Sequence, residues 1–397
     1  MATPHGLECR CSRMPTVCID CRYIGPRPSG IAKVEAALVE FAPELAPELE
    51  FLLLKSPSAP RRLSHAANVT EVVVGAAANS PATMWWLPRI VDLSRVDLFH
   101  ATFNILPAGL AMPCVTTVHD IMWLTRQEWC NARLSRPLER RFYRHGIARA
   151  LRNSAAVATV SEASRSEIAT HFPDVISRLR VTSPGVGPAY SPGQVTKEQL
   201  AGLGIPEGRK VVLTVGQYVP YKNHEGALRI FAKAFAGRDD VVMVFVQRLS
   251  RNAERLRAQA RHLGIADRVH FLGALDDDEL TAFYRSASVL LHPSFCEGFG
   301  LPLAEAMACG CPVVASDCSA MPEVLGDAGM LAPVNDEGAL AQALRRVVDD
   351  AVLARRLGRA GMARAANMRW REFARANVDI YREVLRNAQR SSEFARP

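Results

Sequence analysis

The sequence predicts an α/β chain built as two facing, doubly wound parallel-sheet domains, and three observations carry that prediction. Short runs rich in Val and Ile alternate with longer amphipathic stretches almost from end to end. These runs show little polar–apolar alternation, as expected of parallel strands covered on both faces. The series also restarts once, after the densest cluster of Gly and Pro in the chain. At 397 residues, 49% hydrophobic and 22% charged, the chain is long enough for two or three domains with real cores. That composition excludes a disordered chain, a collagen-like fibre and a small disulfide scaffold.

Strands of the first series are expected at residues 16–22, 50–55, 96–101, 114–119 and 156–160. A second series follows at 211–216, 241–247, 269–272, 289–292 and 312–315. Helical spacing falls between them at 30–41, 224–235, 251–263, 278–287 and 303–308. Residues 183–191 read SPGVGPAYS and run on into Pro192, Gly193, Gly202, Gly204 and Pro206. The expected layout is therefore a domain over 14–187, a linker over 188–207 and a second domain over 208–368. In the last stretch, 369–388, Trp370, Phe373, Val378, Tyr381 and Val384 keep a helical period. This helix either closes the second domain or crosses back to the first. Two such domains face each other across a cleft lined by strand C-termini, where open α/β sheets bind ligands.

Charge and cysteines narrow the class. Lys and Arg total 48 against 40 Asp and Glu, a net +8, and only six of the 48 are lysines. Such a balance suits nucleic acid, an anionic membrane face or a phosphorylated substrate. No nucleic-acid module is recognisable, so nucleic acid is not an expected partner. No apolar run reaches the ~18 residues of a spanning helix. Residues 1–13 carry no apolar leader core, so the expectation is a cytoplasmic chain with its ten cysteines reduced. Cys9, Cys11, Cys18 and Cys21 approach a metal-ligand spacing. Cys18 and Cys21, however, sit three apart along a strand and point to opposite faces, so zinc is not expected. Residues 133–152 hold seven arginines, with Leu134, Leu138, Phe142, Ile147 and Leu151 at near-helical steps. That helix either lies on anionic lipid, a peripheral contact on the inner face of a membrane, or buries its stripe in the core.

The segment that carries chemistry is 292–324, HPSFCEGFGLPLAEAMACGCPVVASDCSAMPEV. A strand ends, a loop holding Gly298 and Gly300 follows, and Pro302 is expected at the first position of a helix. Such a turn offers backbone N–H groups and a positive helix end to a phosphate or a sugar hydroxyl. Glu297 lies in the loop and Glu305 eight residues on, so two carboxylates address one ligand from different heights. An ionised carboxylate accepts hydrogen bonds from both hydroxyls of a diol. Asp276, Asp277 and Asp278 have a D-x-D spacing but precede a helix, and read as an N-cap with first-turn acids. No metal is expected there.

This segment resembles the E-x7-E element of the retaining glycosyltransferases of family 4, which have the GT-B architecture. VGQYVPYKN at 215–223 resembles that family's glycine-ended strand and phosphate-binding lysine, and VHDI at 118–121 its N-domain histidine motif. TVSE at 159–162, SPGV at 183–186 and DCRYIGPRPSGIAK at 20–33 fall where the family carries similar turns and its first strand, loop and helix. The motifs run in order over roughly residues 16–386.

The resemblance implies a donor site. Glu305 would hold the ribose hydroxyls of a nucleotide and Glu297 those of the donor sugar, with the loop Gly298, Phe299, Gly300 and Leu301 beside them. Lys222, behind Gly216 and Gln217, would neutralise the diphosphate. His119 would touch the donor sugar beside the anomeric carbon, and Gly30 would bring the first helix to the distal phosphate. Family members place an arginine near the lysine; here those positions are Gln217 and Tyr221, and Arg248 is the candidate replacement. His119, Lys222 and Glu297 are the expected catalytic set. The implied reaction is retaining, metal-independent hexosyl transfer without a cofactor, the nucleotide-sugar donor being a co-substrate. Mannose from GDP-mannose is the expected donor, UDP-glucose or UDP-N-acetylglucosamine the alternative, and the acceptor a glycan or lipid-linked sugar in surface polysaccharide or glycolipid synthesis. A non-catalytic GT-B-like binding or partner subunit is the competing class.

Overall fold

The computed structural model describes residues 13–26, 29–130, 137–196, 199, 208–246 and 251–394. One sheet contains β1 (Thr16–Asp20), β2 (Glu50–Lys55), β3 (Val69–Val73), β4 (Leu98–Ala101), β5 (Cys114–Val118), β6 (Ala156–Thr159) and β7 (Leu179–Val181). Its order is β3-β2-β1-β4-β5-β6-β7, and every pairing is parallel. The second sheet contains β8 (Lys210–Val215), β9 (Val241–Val246), β10 (Val269–Leu272), β11 (Val289–His292), β12 (Val313–Ser316) and β13 (Met330–Ala332). It is likewise parallel throughout, in the order β10-β9-β8-β11-β12-β13. Both sheets thus have the two-sided, Rossmann-like winding that the sequence predicts. The central strands are buried residue for residue, as in β1 and β9, which is why they read as continuous apolar runs.

Three strands go beyond the expectation. β3, β7 and β13 lie at sheet edges and are half-exposed, so they lack the apolar run that marks a buried strand. Boundaries also move. The first strand stops at Asp20 because Arg22 folds back onto the Asp20 carboxylate at 2.6 Å. The first helix, Gly30–Leu45, continues through Pro43, whose missing N–H costs only one bond near the helix end. The helix after the glycine loop spans Leu301–Ala308, so Pro302 stands second in it rather than first. Cys18 and Cys21 do point to opposite faces, into different apolar clusters.

Each sheet reverses its order beside its first strand, between β1 and β4 and between β8 and β11. The loops leaving these strands open at the switch points, where α/β sheets bind ligands. The C-terminal helix, Trp370–Phe394, crosses back to the first domain. Phe373, Val378, Tyr381 and Val384 are buried against Val17, Leu38, Phe51 and Leu98 there. The Tyr381 hydroxyl meets His100 Nδ1 at 2.6 Å, deep in that core. The two chain crossings touch: Val186 bridges Arg369, and a Cβ on Gly185 would lie 2.1 Å from the Trp370 amide nitrogen. That close approach leaves no room for a side chain at residue 185.

Candidate functional site

Two loops from the second sheet build one half of the site. After β8, Gly216 adopts φ 141°, a left-handed conformation that favours glycine. The chain then makes a short turn over Pro220–Lys222, and Asn223, at φ 53°, caps the helix His224–Ala234. The Asn223 side chain accepts from the Gly226 N–H at 3.2 Å and donates to the Pro293 carbonyl at 3.0 Å, tying this turn to the loop after β11. Lys222 is thereby aimed at Glu297, with Nζ 2.6 Å from Oε1.

Glu297 Oε1 also accepts from His292 Nε2 at 2.7 Å. Burial alone would raise the Glu297 carboxyl, but Lys222 and His292 together pull it down to about 2. Burial holds His292 below its ordinary value against the pull of Glu297. The loop backbone is fixed by Ser319, whose hydroxyl donates to the Glu297 carbonyl at 2.6 Å and accepts from the Glu297 N–H at 3.2 Å. Gly300, at φ 97°, then opens the helix Leu301–Ala308 with no side-chain cap.

The first sheet supplies the facing wall. His119 follows β5, its ring Nε2 donating to the Thr102 carbonyl at 3.0 Å. That bond fixes the tautomer and leaves Nδ1 as an acceptor. Burial lowers the imidazole pKa, so the ring is neutral at physiological pH. Asp120, the next residue, is raised by burial to about 6. The loops of the two domains meet directly: a Cβ on Gly298 would lie 2.6 Å from the His119 carbonyl oxygen. Ser161 donates to the Gly298 carbonyl at 2.7 Å, and Ser164 to the His119 carbonyl at 3.0 Å. Gly30 faces Leu301, whose Cδ1 would lie 3.4 Å from a Cβ there.

Glu305 is buried in a second cluster. Lys33 Nζ lies 2.7 Å from its Oε1, and the Tyr284 hydroxyl donates to its Oε2 at 3.0 Å. Lys33 also donates to Tyr190 Oη at 2.7 Å and pairs with Asp277 at 3.3 Å.

The structure therefore gathers Lys222, Glu297 and Gly216 in one cluster and sets His119, Gly298 and Gly30 at the seam. It gives Glu305 partners of its own. Gln217 is exposed, and Tyr221 lies beneath Lys222, whose Nζ is 5.6 Å from its ring centroid. Arg248 lies outside the described residues, as do Cys9 and Cys11. Asp276 caps the helix Asp277–Ser286 in a reciprocal capping box with Glu279. Asp277, read from sequence as a first-turn acid alone, also serves the Lys33 cluster.

Sequence reasoning missed Lys33, Tyr190, Tyr284, Ser319 and His292. Of these, His292 alone had a local signal, five residues before Glu297 at a strand end. The helix carrying the arginines, Pro137–Asn153, splits its apolar stripe. Ile147 and Leu151 are buried while Leu138 is 77% exposed, and Leu134 lies outside the described residues. No helix among the described residues is long and apolar enough to cross a membrane.

Comparisons with known proteins agree on the family. The model for Glycosyltransferase Family 4 matches residues 33–190, and that for Glycosyl transferases group 1 matches residues 195–364. O-antigen chain mannosyltransferase B of Escherichia coli is 30% identical over 309 residues, 72% of this chain and 74% of that protein. The MMP alpha-(1->4)-mannosyltransferase of Mycolicibacterium hassiacum is 35% identical over 293 residues, 70% of this chain and 67% of that protein. Among solved structures, Anabaena HepE in complex with UDP-glucose has the same fold, at a TM-score of 0.66 and 19% identity over 94% of this chain and 99% of that one. With one model on each domain and relatives of this similarity spanning both, the chain belongs to the family 4 glycosyltransferases and is a hexosyltransferase of GT-B architecture.

Proposed function

We propose that the chain is a retaining, metal-independent enzyme that moves mannose from GDP-mannose to a glycan or lipid-linked acceptor. The observation that carries the reading is the Lys222–Glu297 pair at the second switch point, opposite neutral His119 across the seam. In this reading Glu297 accepts hydroxyls of the donor sugar, and Lys222 meets the diphosphate. As the glycosidic bond breaks, negative charge grows on the β-phosphate, and Lys222 stabilises it more than it stabilised the bound donor. Lys222 supplies that positive charge, and Asp276 is occupied in capping, so the site needs no metal to balance the leaving group. His119 Nδ1 faces the donor as an acceptor for a sugar or acceptor hydroxyl.

Mannose is favoured by the two relatives named as mannosyltransferases; UDP-glucose, bound by HepE, is the alternative donor. Calorimetry with GDP-mannose, UDP-glucose and UDP-N-acetylglucosamine tests the choice. Tightest binding of GDP-mannose is expected, and preference for a UDP-sugar overturns it. Turnover unchanged by EDTA is expected; a large loss overturns the metal-free reading.

A lipid-linked acceptor is supported by one face of the first domain. The helix Pro81–Ile90 leaves Trp85, Trp86, Arg89 and Ile90 exposed. It packs closely on Pro137–Asn153, where Trp85 meets Phe142 edge-on at 6.0 Å and a Cβ on Gly146 would lie 2.8 Å from Met84. Leu138, Arg141 and Arg144 are exposed on that neighbour. Tryptophan and leucine interleaved with arginine fit an anionic lipid surface. Each arginine near such a surface contributes about 1 kcal/mol, screened beyond ~8–10 Å at physiological salt. Sedimentation with phosphatidylglycerol vesicles should remove the protein at low salt and spare it at high salt, and Trp85→Ser with Trp86→Ser should abolish binding. Equal recovery with anionic and neutral vesicles at both salts would sink the membrane contact.

A further inference from the structure

Two of the six lysines in the chain face the two glutamates of the loop-helix segment, Lys222 on Glu297 and Lys33 on Glu305. The first pair lies within one domain. The second spans the cleft, since Lys33 sits one turn into the helix Gly30–Leu45 of the first domain.

Among the described residues, the partners of the Lys33 ammonium lie outside its own domain. Its ammonium meets Glu305 and Tyr190 Oη, each at 2.7 Å, and Asp277 at 3.3 Å, and stands 4.6 Å from the Tyr190 ring centroid. Tyr190 in turn donates to Asp277 at 2.6 Å, so two of the groups around the Lys33 ammonium also brace each other. Glu305 is 5% exposed, and its other described partner is the Tyr284 hydroxyl. With the cleft shut, losing the Lys33 ammonium alone would leave a shielded carboxylate with one described neutral donor, an unfavourable state.

A carboxylate has about four lone-pair positions, two on each oxygen. Lys33 takes one on Oε1 and Tyr284 one on Oε2, which fixes the plane of the group and leaves one on each oxygen for two neighbouring hydroxyls. We propose that Lys33 is a positioning residue that couples donor binding to cleft closure, holding Glu305 ready for the nucleotide's ribose diol only when the two domains are shut. The proposal rests on Glu305 being the diol acceptor of the reading above. The diol and the lysine then act on the same carboxylate from different directions, and each favours the state the other needs.

Three variants test it, with GDP and UDP each used as the binding probe and X-ray scattering as the measure of closure. Lys33→Met should expand the ligand-free protein and weaken binding of the tighter probe about ten-fold, or about 1.4 kcal/mol. It should raise the donor KM by a similar factor, with a smaller change in kcat, while Lys33→Arg restores compactness and affinity. Lys33→Met that stays compact and binds as tightly as wild type overturns the proposal. So does tighter binding, which would make the lysine a competitor of the ribose. Glu305→Gln separates the two claims. Should it bind nucleotide as wild type does, the ribose reading fails, and expansion of Lys33→Met alone then supports a clasp without a donor role. Should it bind weakly while Lys33→Met does not, the coupling of Lys33 to donor binding fails, overturning the proposal, and the ribose reading stands.

Discussion

The two lysine–glutamate pairs differ in what makes them. Lys222 and Glu297 come from neighbouring loops of one sheet, tied together by Asn223 on Pro293 and by Ser319 on the Glu297 backbone. Their geometry is finished when the second domain folds. Lys33 and Glu305 come from different domains and meet only through the seam that Gly298, Ser161 and Ser164 also form. The first pair is thus suited to chemistry that must be in place at every turnover, the second to sensing whether the cleft is shut.

The sharpest way to break this contrast is Lys222→Ala. Loss of a preorganised charge at a developing anion costs on the order of 100- to 1000-fold in rate, and nucleotide affinity should fall much less. Equal losses in both, read from kcat and calorimetry, would give the intradomain pair a binding role like that of the other. Glu305→Ala should show the opposite balance. Losing charge-assisted hydrogen bonds to a diol in a closed cleft costs about 2–4 kcal/mol of donor affinity, and retention of tight binding would dissolve the distinction.

pH sharpens the comparison by probing the carboxylate of one pair and the ammonium of the other. Glu297 is held at about 2, below its usual ~4.5, so its stabilisation is complete above pH ~4.5 and is lost as pH falls towards 2. Denaturant melts at pH 7 and pH 3 should therefore show a larger loss for wild type than for Glu297→Gln. Burial lowers the Lys33 ammonium, but Glu305 and Asp277 outweigh burial and hold it above its usual range. The contribution from its raised value is present below pH ~10.5, while its carboxylate partners stay ionised, and is lost as pH rises beyond that. Scattering should show opening of the cleft in that alkaline window, and an unchanged compact form would break the assignment.

A smaller effect concerns Glu323, which crosses the seam to accept from the Glu162 and Ala163 amides, each at 3.0 Å, at the start of the helix Glu162–His171. Glu323→Gln keeps the acceptor and removes the charge facing the helix dipole, a change of about 0.3–1 kcal/mol. It should shift closure slightly and leave nucleotide affinity within about two-fold. A loss as large as that of Lys33→Met would mean that any seam contact serves, with no special part for the lysine.

Much of this molecule is written locally. Buried parallel strands announce themselves as apolar runs, and the expected positions of β1, β2, β8, β9 and β11 lie within two residues of the observed ones. Glu297 and Gly300 were marked by a glycine turn ahead of a helix start, a short-range feature, whereas Lys222 was singled out through the family resemblance of its strand and turn. Edge strands such as β3, half wet and without an apolar run, were not. The amphipathic period of Trp370–Phe394 fixed a helix with one face to bury, but which domain would cover it depended on packing against Phe51 and Leu98. The same limit applies to Lys33 and Glu305, which are 272 residues apart. Periodicity and spacing act over a few turns of chain, whereas a charge pair across a cleft depends on how two finished domains come together, and that was decided by the tertiary structure alone.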